Sequence, residues 1–293
     1  MGCDRCGREA ILFQPYSGLR LCREHFELDL AAKAKRAIRA HGWIRTGDRV
    51  AVALSGGPGS SSLLHLLAHH FGMRPDLSLV AVTLDEGDGS GTDLRRVERI
   101  AGELGIEWEA TTRADGFGGM PDMVPAPMAG GSFPSSHGPL RNPALASLAG
   151  RLGATRLALG TGLDDVARAV LARVLGGDAP LLLRFPEPSC GGIPVIRPLL
   201  RIPEAELALY AELNVPGYIR ARRVHPPGLM EGEAARILEE FTRRHPSTPF
   251  SLVSLGEALS GRDGAGGRAL GPHDRWGEDC PVRGPRDRVS GHG

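Results

Sequence analysis

The chain has 293 residues, of which 41% are hydrophobic and 24% are charged, and its formal net charge is +1. This length suits one large α/β domain with small additions. The near-neutral charge argues against a protein that coats nucleic acid non-specifically, although a local basic patch is compatible with RNA binding. No apolar run reaches the roughly 18–20 residues of a membrane span, and the first residues lack the apolar segment of a signal peptide. We therefore expect a cytoplasmic protein with no membrane partner.

Two short cysteine motifs open the chain. Cys3 and Cys6 form a C-x-x-C pair, and Cys22 and His25 form a C-x-x-H pair. The residues between the pairs read as a small hairpin that brings them together. Three thiolates and one imidazole suit a structural Zn²⁺ ion in a closed tetrahedral site. The alternative is a chance group of free thiols. A free-standing DNA-binding finger is disfavoured, since a predicted helix follows without a linker.

Strand-like and helix-like segments then alternate along the chain, a pattern typical of a doubly wound parallel sheet covered on both faces. The predicted strands lie within 46–57, 77–87, 106–114, 155–162 and 191–200, and the predicted helices lie within 27–44, 60–71, 93–105, 142–153, 163–177 and 202–214. The resulting division is an N-terminal metal-binding knuckle at 1–28, an α/β domain at 29–218, a C-terminal helical element at 219–260 and a disordered tail at 261–293. Residues 115–139 are rich in Gly, Pro and Met and predict a long loop.

The segment after the first predicted strand of the α/β domain is a candidate anion site. Ser55-Gly56-Gly57 follows an apolar run, and a Ser-rich helix start follows at once. Backbone N–H groups in such a turn point into one concavity, and the helix dipole adds partial positive charge. The segment is not a Walker loop, because no G-K-[ST] follows. The alternative is a plain strand-to-helix turn whose glycines serve geometry alone.

Other candidate residues follow neighbouring strands. Asp85 ends the second predicted strand, and Gly160 to Asp165 follow the fourth. Ligands of open α/β sheets bind beyond the carboxyl ends of the strands. We therefore expect these residues to lie beside the Ser55 loop. The structural alternative for Asp164 and Asp165 is an acidic pair that stabilises a helix N-terminus.

These motifs together resemble a known family. The loop resembles the S-G-G-x-D-S loop of ATP pyrophosphatases, also called PP-loop or adenine nucleotide alpha hydrolase-like proteins. With the cysteine knuckles, LDEG at 84–87, GATRLALGTGLDD at 153–165 and EEFTRRHPSTPF at 239–250, the chain resembles their tRNA 2-thiolation branch, of the tRNA-5-methyluridine 2-sulfurtransferase type. The resemblance covers residues 1 to about 260.

The resemblance implies a chemistry and a set of site residues. Family members use ATP and Mg²⁺ to adenylate a carbonyl oxygen of a tRNA uridine, after which a sulfur carrier displaces AMP. It implies ATP, tRNA and a sulfur-carrier protein as partners, and a homodimer. By position, the resemblance places the phosphates at Ser55, Gly56, Gly57, Gly59 and Ser60, with the Ser61 and Ser62 hydroxyls nearby. It places the adenine at the backbone near Ala53 and Thr83, and Gly160 beside the nucleotide. It also implies Asp165 as the Mg²⁺ ligand and Arg141 as a basic residue that contacts phosphate or solvent.

The chain also departs from the family pattern. Gly59 stands where the family has Asp, while Pro134 and His137 stand where it has two cysteines. No cysteine occurs within RARRVHPPG at 220–228 either, where the pattern has a third. Serine and histidine do not hold a [4Fe–4S] cluster as three cysteines do, and sulfur transfer needs a thiolate or sulfide nucleophile. We therefore expect no iron–sulfur cluster.

Three functions remain open from the sequence. The favoured one is a degenerate protein that binds nucleotide and tRNA without transferring sulfur. The second is an active tRNA-modifying enzyme that takes sulfur from a partner. The third is a related ligation with a nucleophile other than sulfur.

Overall fold

The computed structural model describes most of the chain up to Ser260. The described residues are 1–71, 75–85, 93–112, 141–183, 189–190, 192–220 and 229–260. Several sequence-based predictions therefore lie outside them: residues 86–87 of LDEG, the loop at 115–139 with Pro134 and His137, residues 221–228 of the segment RARRVHPPG and the tail at 261–293.

The N-terminal module is a small antiparallel hairpin followed by a long helix. Strands β1 (Leu12–Gln14) and β2 (Leu19–Leu21) pair in register with Leu12 opposite Leu21. Helix α1 (Arg23–His41) starts directly after β2 and buries one face, which includes Phe26 and Leu30. The predicted hairpin and the absence of a linker are both confirmed.

A six-stranded sheet forms the centre of the molecule. Its order is β5-β4-β3-β6-β8-β7, and every neighbouring pair is parallel except β7 with β8. The strand bounds are β3 Arg49–Ala53, β4 Ser78–Asp85, β5 Glu107–Thr112, β6 Arg156–Leu159, β7 Ser189–Cys190 and β8 Ile193–Ile196. The five predicted parallel strands are confirmed. The short antiparallel edge strand β7 was not predicted, because two residues carry no readable periodicity.

Eight further helices complete the described part of the chain. Their bounds are α2 Pro58–Phe71, α3 Leu94–Glu103, α4 Arg141–Arg151, α5 Leu163–Leu175, α6 Ala179–Leu183, α7 Glu204–Asn214, α8 Leu229–Arg244 and α9 Thr248–Ser260. The five-residue helix α6 was not predicted. None of the helices in the described ranges combines the length and apolar character needed to cross a bilayer.

Alternate residues of the central strands are buried on opposite faces of the sheet. Val50 and Val52 belong to a core with side chains of α1, α2, α3 and α7, whereas Ala51, Val80 and Val82 belong to a second core with α4. A third cluster joins α5 to α8 and α9. Both faces are covered, as a doubly wound parallel sheet requires.

The chain order places a topological switch point in the middle of the sheet. From β3 the chain continues to β4 and β5 on one side, and then crosses to β6 and β8 on the other. Open α/β sheets bind ligands at such a switch point, beyond the carboxyl ends of the two strands concerned, which here are β3 and β6.

A buried polar network ties the hairpin to the sheet domain. Glu206 of α7 is 3% exposed, accepts a hydrogen bond from Tyr16 Oη at 2.5 Å and lies 3.3 Å from Lys33 Nζ. Lys33 also pairs with Asp29 at 2.7 Å, and Gln14 Nε2 donates to both carboxylates. Burial raises the pKa of Glu206 despite the nearby ammonium. The network therefore joins β1, α1 and α7 through groups that depend on each other for hydrogen bonds.

Candidate nucleotide site and metal centre

The two cysteine motifs converge on one point. Ligand atoms of Cys3, Cys6, Cys22 and His25 all lie within 4.8 Å of one another. The Cys6 and Cys22 sulfurs are 3.7 Å apart, and His25 Nδ1 lies 3.3 Å from Cys22 Sγ. For Zn–S bonds of about 2.3 Å, a regular tetrahedron separates its ligands by about 3.8 Å. The four side chains thus have the spacing of ligands around one ion.

Local backbone structure positions these ligands. In the first motif, the N–H groups of Cys6 and Gly7 both donate to the carbonyl of Cys3, which closes a tight turn. Gly7 has a φ of 74°, a conformation that glycine adopts without strain. In the second motif, Cys22 is the N-cap of α1 and His25 lies in the first helical turn. A turn and a helix start therefore face each other across the hairpin.

The environment favours a thiolate at Cys3. Burial opposes ionisation, but backbone N–H groups of Cys22, Arg5 and Cys6 directed at the sulfur outweigh it and lower the pKa of Cys3 to about 6. A thiolate is the form that binds metals. The charge of this sulfur agrees with a metal-binding role for the cluster.

The second candidate site is the loop between β3 and α2. Gly56 has a φ of 72° and turns the chain, and α2 begins at Pro58. Proline suits the first helical position because its φ is already helical and an N–H there has no helical partner. The first N–H groups of a helix lack intrahelical acceptors. The amides of Gly59 and Ser60 belong to this first turn, which begins at Pro58.

Hydroxyl groups stiffen this loop from within. Ser60 Oγ accepts a hydrogen bond from Ser55 N at 3.2 Å, lies 3.2 Å from Ser55 Oγ and donates to Gly57 O at 3.2 Å. The predicted phosphate-binding residues Ser55, Gly56, Gly57, Gly59 and Ser60 thus form one hydrogen-bonded turn.

The other two serine hydroxyls do not belong to the loop surface. Ser61 and Ser62 are both fully buried, and Ser62 Oγ donates to Leu207 O at 3.0 Å. The expectation that these hydroxyls reach a phosphate is wrong, because the turn of α2 points them at α7 and the core. The Ser62 hydroxyl thus joins α2 to α7, whereas Ser61 Oγ is buried without a hydrogen-bond partner in the described structure.

Gly59 contacts the end of β6 directly. A Cβ at Gly59 would lie 2.0 Å from Gly160 O, and a Cβ at Gly160 would lie 2.4 Å from Ser60 N. Real Cβ atoms do not approach other atoms so closely, so both positions require glycine in this arrangement. The structure brings Gly160 against the loop, as predicted. It also shows that the space of an aspartate at position 59 is filled by the backbone of residue 160.

The residues predicted to meet adenine lie under the loop. Ala53 is the last residue of β3 and is partly exposed, whereas Thr83 is 1% exposed. Thr83 Oγ1 donates to Leu54 O at 2.8 Å and accepts from Trp108 Nε1 at 2.9 Å. The Thr83 hydroxyl therefore supports the strand that precedes the loop.

The acidic candidates differ in their surroundings. Asp164 Oδ2 accepts a hydrogen bond from Glu204 N at 2.6 Å, which caps α7. Asp165 lies in the first turn of α5 and is 3.3 Å from Arg168 Nη1. Arg141 is the first residue of α4.

Only the four N-terminal ligands form a potential metal group of three or more donors within the part of the chain that the structure describes.

One basic residue near the loop was not predicted. Arg96 lies in the first turn of α3, and its backbone N–H is capped by Asp93 at 3.2 Å. A Cβ at Gly56 would lie 2.8 Å from Arg96 Nη2, so the guanidinium lies against the loop backbone. The sequence contained one indication of this position. Arg96 follows the N-cap residue Asp93 by three residues, at a helix start that comes after strand β4. Helices that follow a parallel strand begin near the carboxyl edge of the sheet.

Two family models together match residues 3–220 of the chain. A model of the N-terminal LIM domain of the 2-thiouridine synthetase TtuA matches residues 3–27. A model of the PP-loop domain matches residues 26–220. The first match contains all four clustered ligands, and the second contains the sheet and the glycine loop.

Two curated relatives are both named as tRNA 2-thiolation proteins. The tRNA 2-thiolation protein NcsA of Haloferax volcanii is 32% identical over 283 residues, covering 89% of this chain and 87% of its own. The cytoplasmic tRNA 2-thiolation protein 1 of Drosophila melanogaster is 30% identical over 271 residues, covering 89% of this chain and 78% of its own.

A solved structure corrects one expectation. The U34-tRNA thiolase NcsA of Methanococcus maripaludis, solved with its [4Fe-4S] cluster, has a TM-score of 0.75 and 27% identity, covering 89% of this chain and 87% of its own. The sequence-based expectation of no iron–sulfur cluster is contradicted by this neighbour. That expectation considered only the family's internal cysteine positions, whereas Cys3, Cys6 and Cys22 also offer the thiolates that hold such clusters.

The matches to the knuckle and the sheet domain, and the relatives that span most of the chain, agree with the geometry of both sites. The chain belongs to the PP-loop family of tRNA 2-thiolation proteins.

Proposed function

We propose that this protein binds ATP in the crevice between β3 and β6 and acts on tRNA in the cytoplasm. The observation that carries the proposal is the glycine turn at the switch point of the sheet, with Gly56 at a φ of 72° and helix α2 starting at Pro58. Anions bind readily at such helix starts, and nucleotides bind at such switch points. Family membership supplies ATP and tRNA as the ligand classes.

The proposal is tested by calorimetric titration of the purified protein with ATP in the presence and absence of Mg²⁺. We expect saturable binding to one site per chain. The roles of Ala53 and the Thr83 backbone at the adenine, and of Asp165 at Mg²⁺, are part of the proposal. Asp165→Asn is expected to weaken binding only when Mg²⁺ is present.

Turnover is a separate proposal with two candidate forms. In the first, the chain adenylates tRNA and a partner-borne thiocarboxylate or persulfide delivers sulfur. In the second, it binds nucleotide and tRNA without thiolation. The contact of Gly59 with Gly160 favours the second form, because it fills the space of the loop carboxylate. Loss of one preorganised electrostatic group lowers rates by roughly 10²–10³. Release of pyrophosphate from ATP upon addition of tRNA, together with 2-thiouridine in that tRNA when a sulfur donor is supplied, would establish the first form.

We also propose that Cys3, Cys6, Cys22 and His25 hold a metal centre that stabilises the hairpin. The distances between their ligand atoms support a single tetrahedral ion, for which Zn²⁺ is suited, and three thiolates also suit an iron–sulfur centre. Elemental analysis for zinc, iron and acid-labile sulfide identifies the metal. Cys22→Ser is expected to abolish its retention, and Cys190→Ser is the matched control.

A further inference from the structure

Arg96 has no role in the site described so far, although its side chain lies at the glycine loop. Its side chain extends from the first turn of α3, which follows β4 in the chain and begins near the same carboxyl edge of the sheet as the loop. The Arg96 guanidinium lies over Gly56: a Cβ there would be 2.8 Å from Nη2 and 3.0 Å from Nε. The glycine therefore provides both the turn and the space in which the guanidinium lies.

The hydrogen bonds of this guanidinium are incomplete. Nη1 donates to Ile219 O at 3.3 Å. Nε is shielded from solvent and has no hydrogen-bond partner in the structure as described. A shielded donor without an acceptor is costly, so such groups commonly face a ligand or ordered water. Arg96 is thus held at one nitrogen and has donor capacity left beside the loop.

The surrounding segment holds Arg96 in place. Asp93 caps the helix start beneath it, and the segment after α7 packs on α3. Gly217 has a φ of 67°, and a Cβ there would lie 3.1 Å from Arg99 Cδ. The carbonyl of Ile219 then meets Arg96. The side chain therefore approaches the loop from a fixed direction.

We propose that Arg96 binds the phosphates of the nucleotide held by the loop, which rests on the proposed function of ATP binding. The shared ligand chemistry is a pyrophosphate group, whether as part of ATP or as the free anion. Guanidinium groups pair with phosphate oxygens through two parallel hydrogen bonds. With glycine in place of aspartate at position 59, the cup lacks a carboxylate, so Arg96 faces the phosphates without a competing acidic group from that position.

The test compares Arg96→Met with Arg95→Met as the matched control, since Arg95 is the exposed neighbour on the same helix. Each protein is titrated with ATP, inorganic pyrophosphate and AMP. We expect Arg96→Met to weaken ATP and pyrophosphate binding by about 10- to 100-fold, the loss typical of a hydrogen bond to a charged group. AMP binding is expected to fall less, and Arg95→Met is expected to bind like the wild type.

The outcomes separate this proposal from the proposed function. If folded Arg96→Met binds ATP and pyrophosphate as the wild type does, the proposal is overturned. If the wild type binds pyrophosphate but not ATP, the proposed function fails while loss of pyrophosphate binding in Arg96→Met still supports Arg96. If the wild type binds neither, both fail. Should Arg96→Met not fold, Arg96→Lys keeps the charge without the planar fork, and unchanged pyrophosphate affinity in that variant counts against the proposal.

Discussion

At the residue scale, two glycines determine what the candidate nucleotide site can contain. Gly59 and Gly160 come from separate elements and meet backbone to backbone. The backbone of Gly160, which directly follows β6, occupies the space that a side chain at position 59 would need.

Restoring the family aspartate is expected to damage the protein. Gly59→Asp places a Cβ 2.0 Å from Gly160 O, so the backbone must shift. Overpacking of this kind costs about 1–3 kcal/mol of unfolding free energy. We expect a lower midpoint of thermal unfolding and weaker ATP binding. Gly102→Ala, where a Cβ meets nothing within 4 Å, is the control and should leave both unchanged or slightly improved. Tighter ATP binding by Gly59→Asp would contradict this description of the site.

Two partly buried histidines predict how stability depends on pH. Burial, together with the neighbouring His69, lowers the pKa of His65, and burial with Lys35 lowers that of His70. The unfolded chain then binds protons more tightly, so the unfolding free energy falls as the pH decreases through about 6.5. Urea titrations at pH 7.5 and 5.5 measure this loss.

His65→Gln isolates the contribution of one histidine to that loss. His65 Nδ1 lies 2.9 Å from Tyr210 Oη, and glutamine keeps a polar group there. We expect the variant to show a smaller difference in unfolding free energy between the two pH values. An equal difference in wild type and variant would rule out His65 as a contributor.

At the element scale, the junction between the hairpin and the sheet domain depends on one carboxylate. Glu206 of α7 meets Tyr16 of the hairpin and Lys33 of α1. Because these groups have little access to water, they stabilise the fold only while all partners are present. The polar network therefore makes the N-terminal module part of the core.

Glu206→Ala is expected to destabilise the protein by about 1–3 kcal/mol, since it removes the acceptor of the Tyr16 hydrogen bond and one of the two carboxylates that pair with Lys33 in a shielded place. Glu212→Ala on the same helix is the matched control. Glu212 pairs with Arg220 at 3.2 Å at the surface, and such pairs contribute at most about 1 kcal/mol. Denaturant titration measures both. Similar effects of the two substitutions would show that the buried network does not stabilise the junction.

At the scale of the whole molecule, we expect the hairpin to need a metal at the clustered ligands in addition to the polar network, whereas the central strands are buried on both faces of the sheet. The hairpin strands have three residues each, too few to persist without packing or a bound metal. Upon chelation we expect amide hydrogen exchange to increase across residues 1–22 and to stay slow in β3 and β4. Unchanged exchange throughout would contradict a stabilising metal at the clustered ligands.

Much of this architecture was predictable from the sequence, and the exceptions have a physical pattern. Periodicity identified the parallel strands, and motif spacing identified the four clustered ligands. The contact of Gly59 with Gly160 and the approach of Arg96 to Gly56 join residues distant in sequence, so no local pattern contains them. The buried direction of Ser62 depends on the rotation of α2 against α7. The error on the iron–sulfur cluster came from judging a cofactor by which cysteines are missing.

Calorimetric titration of the full chain with ATP tests the nucleotide site most directly. A cup of backbone amides that still accepts phosphates predicts saturable binding at one site per chain, which added inorganic pyrophosphate displaces. Absence of heat exchange and of any protection by ATP against thermal unfolding, in protein shown to be folded, would contradict it.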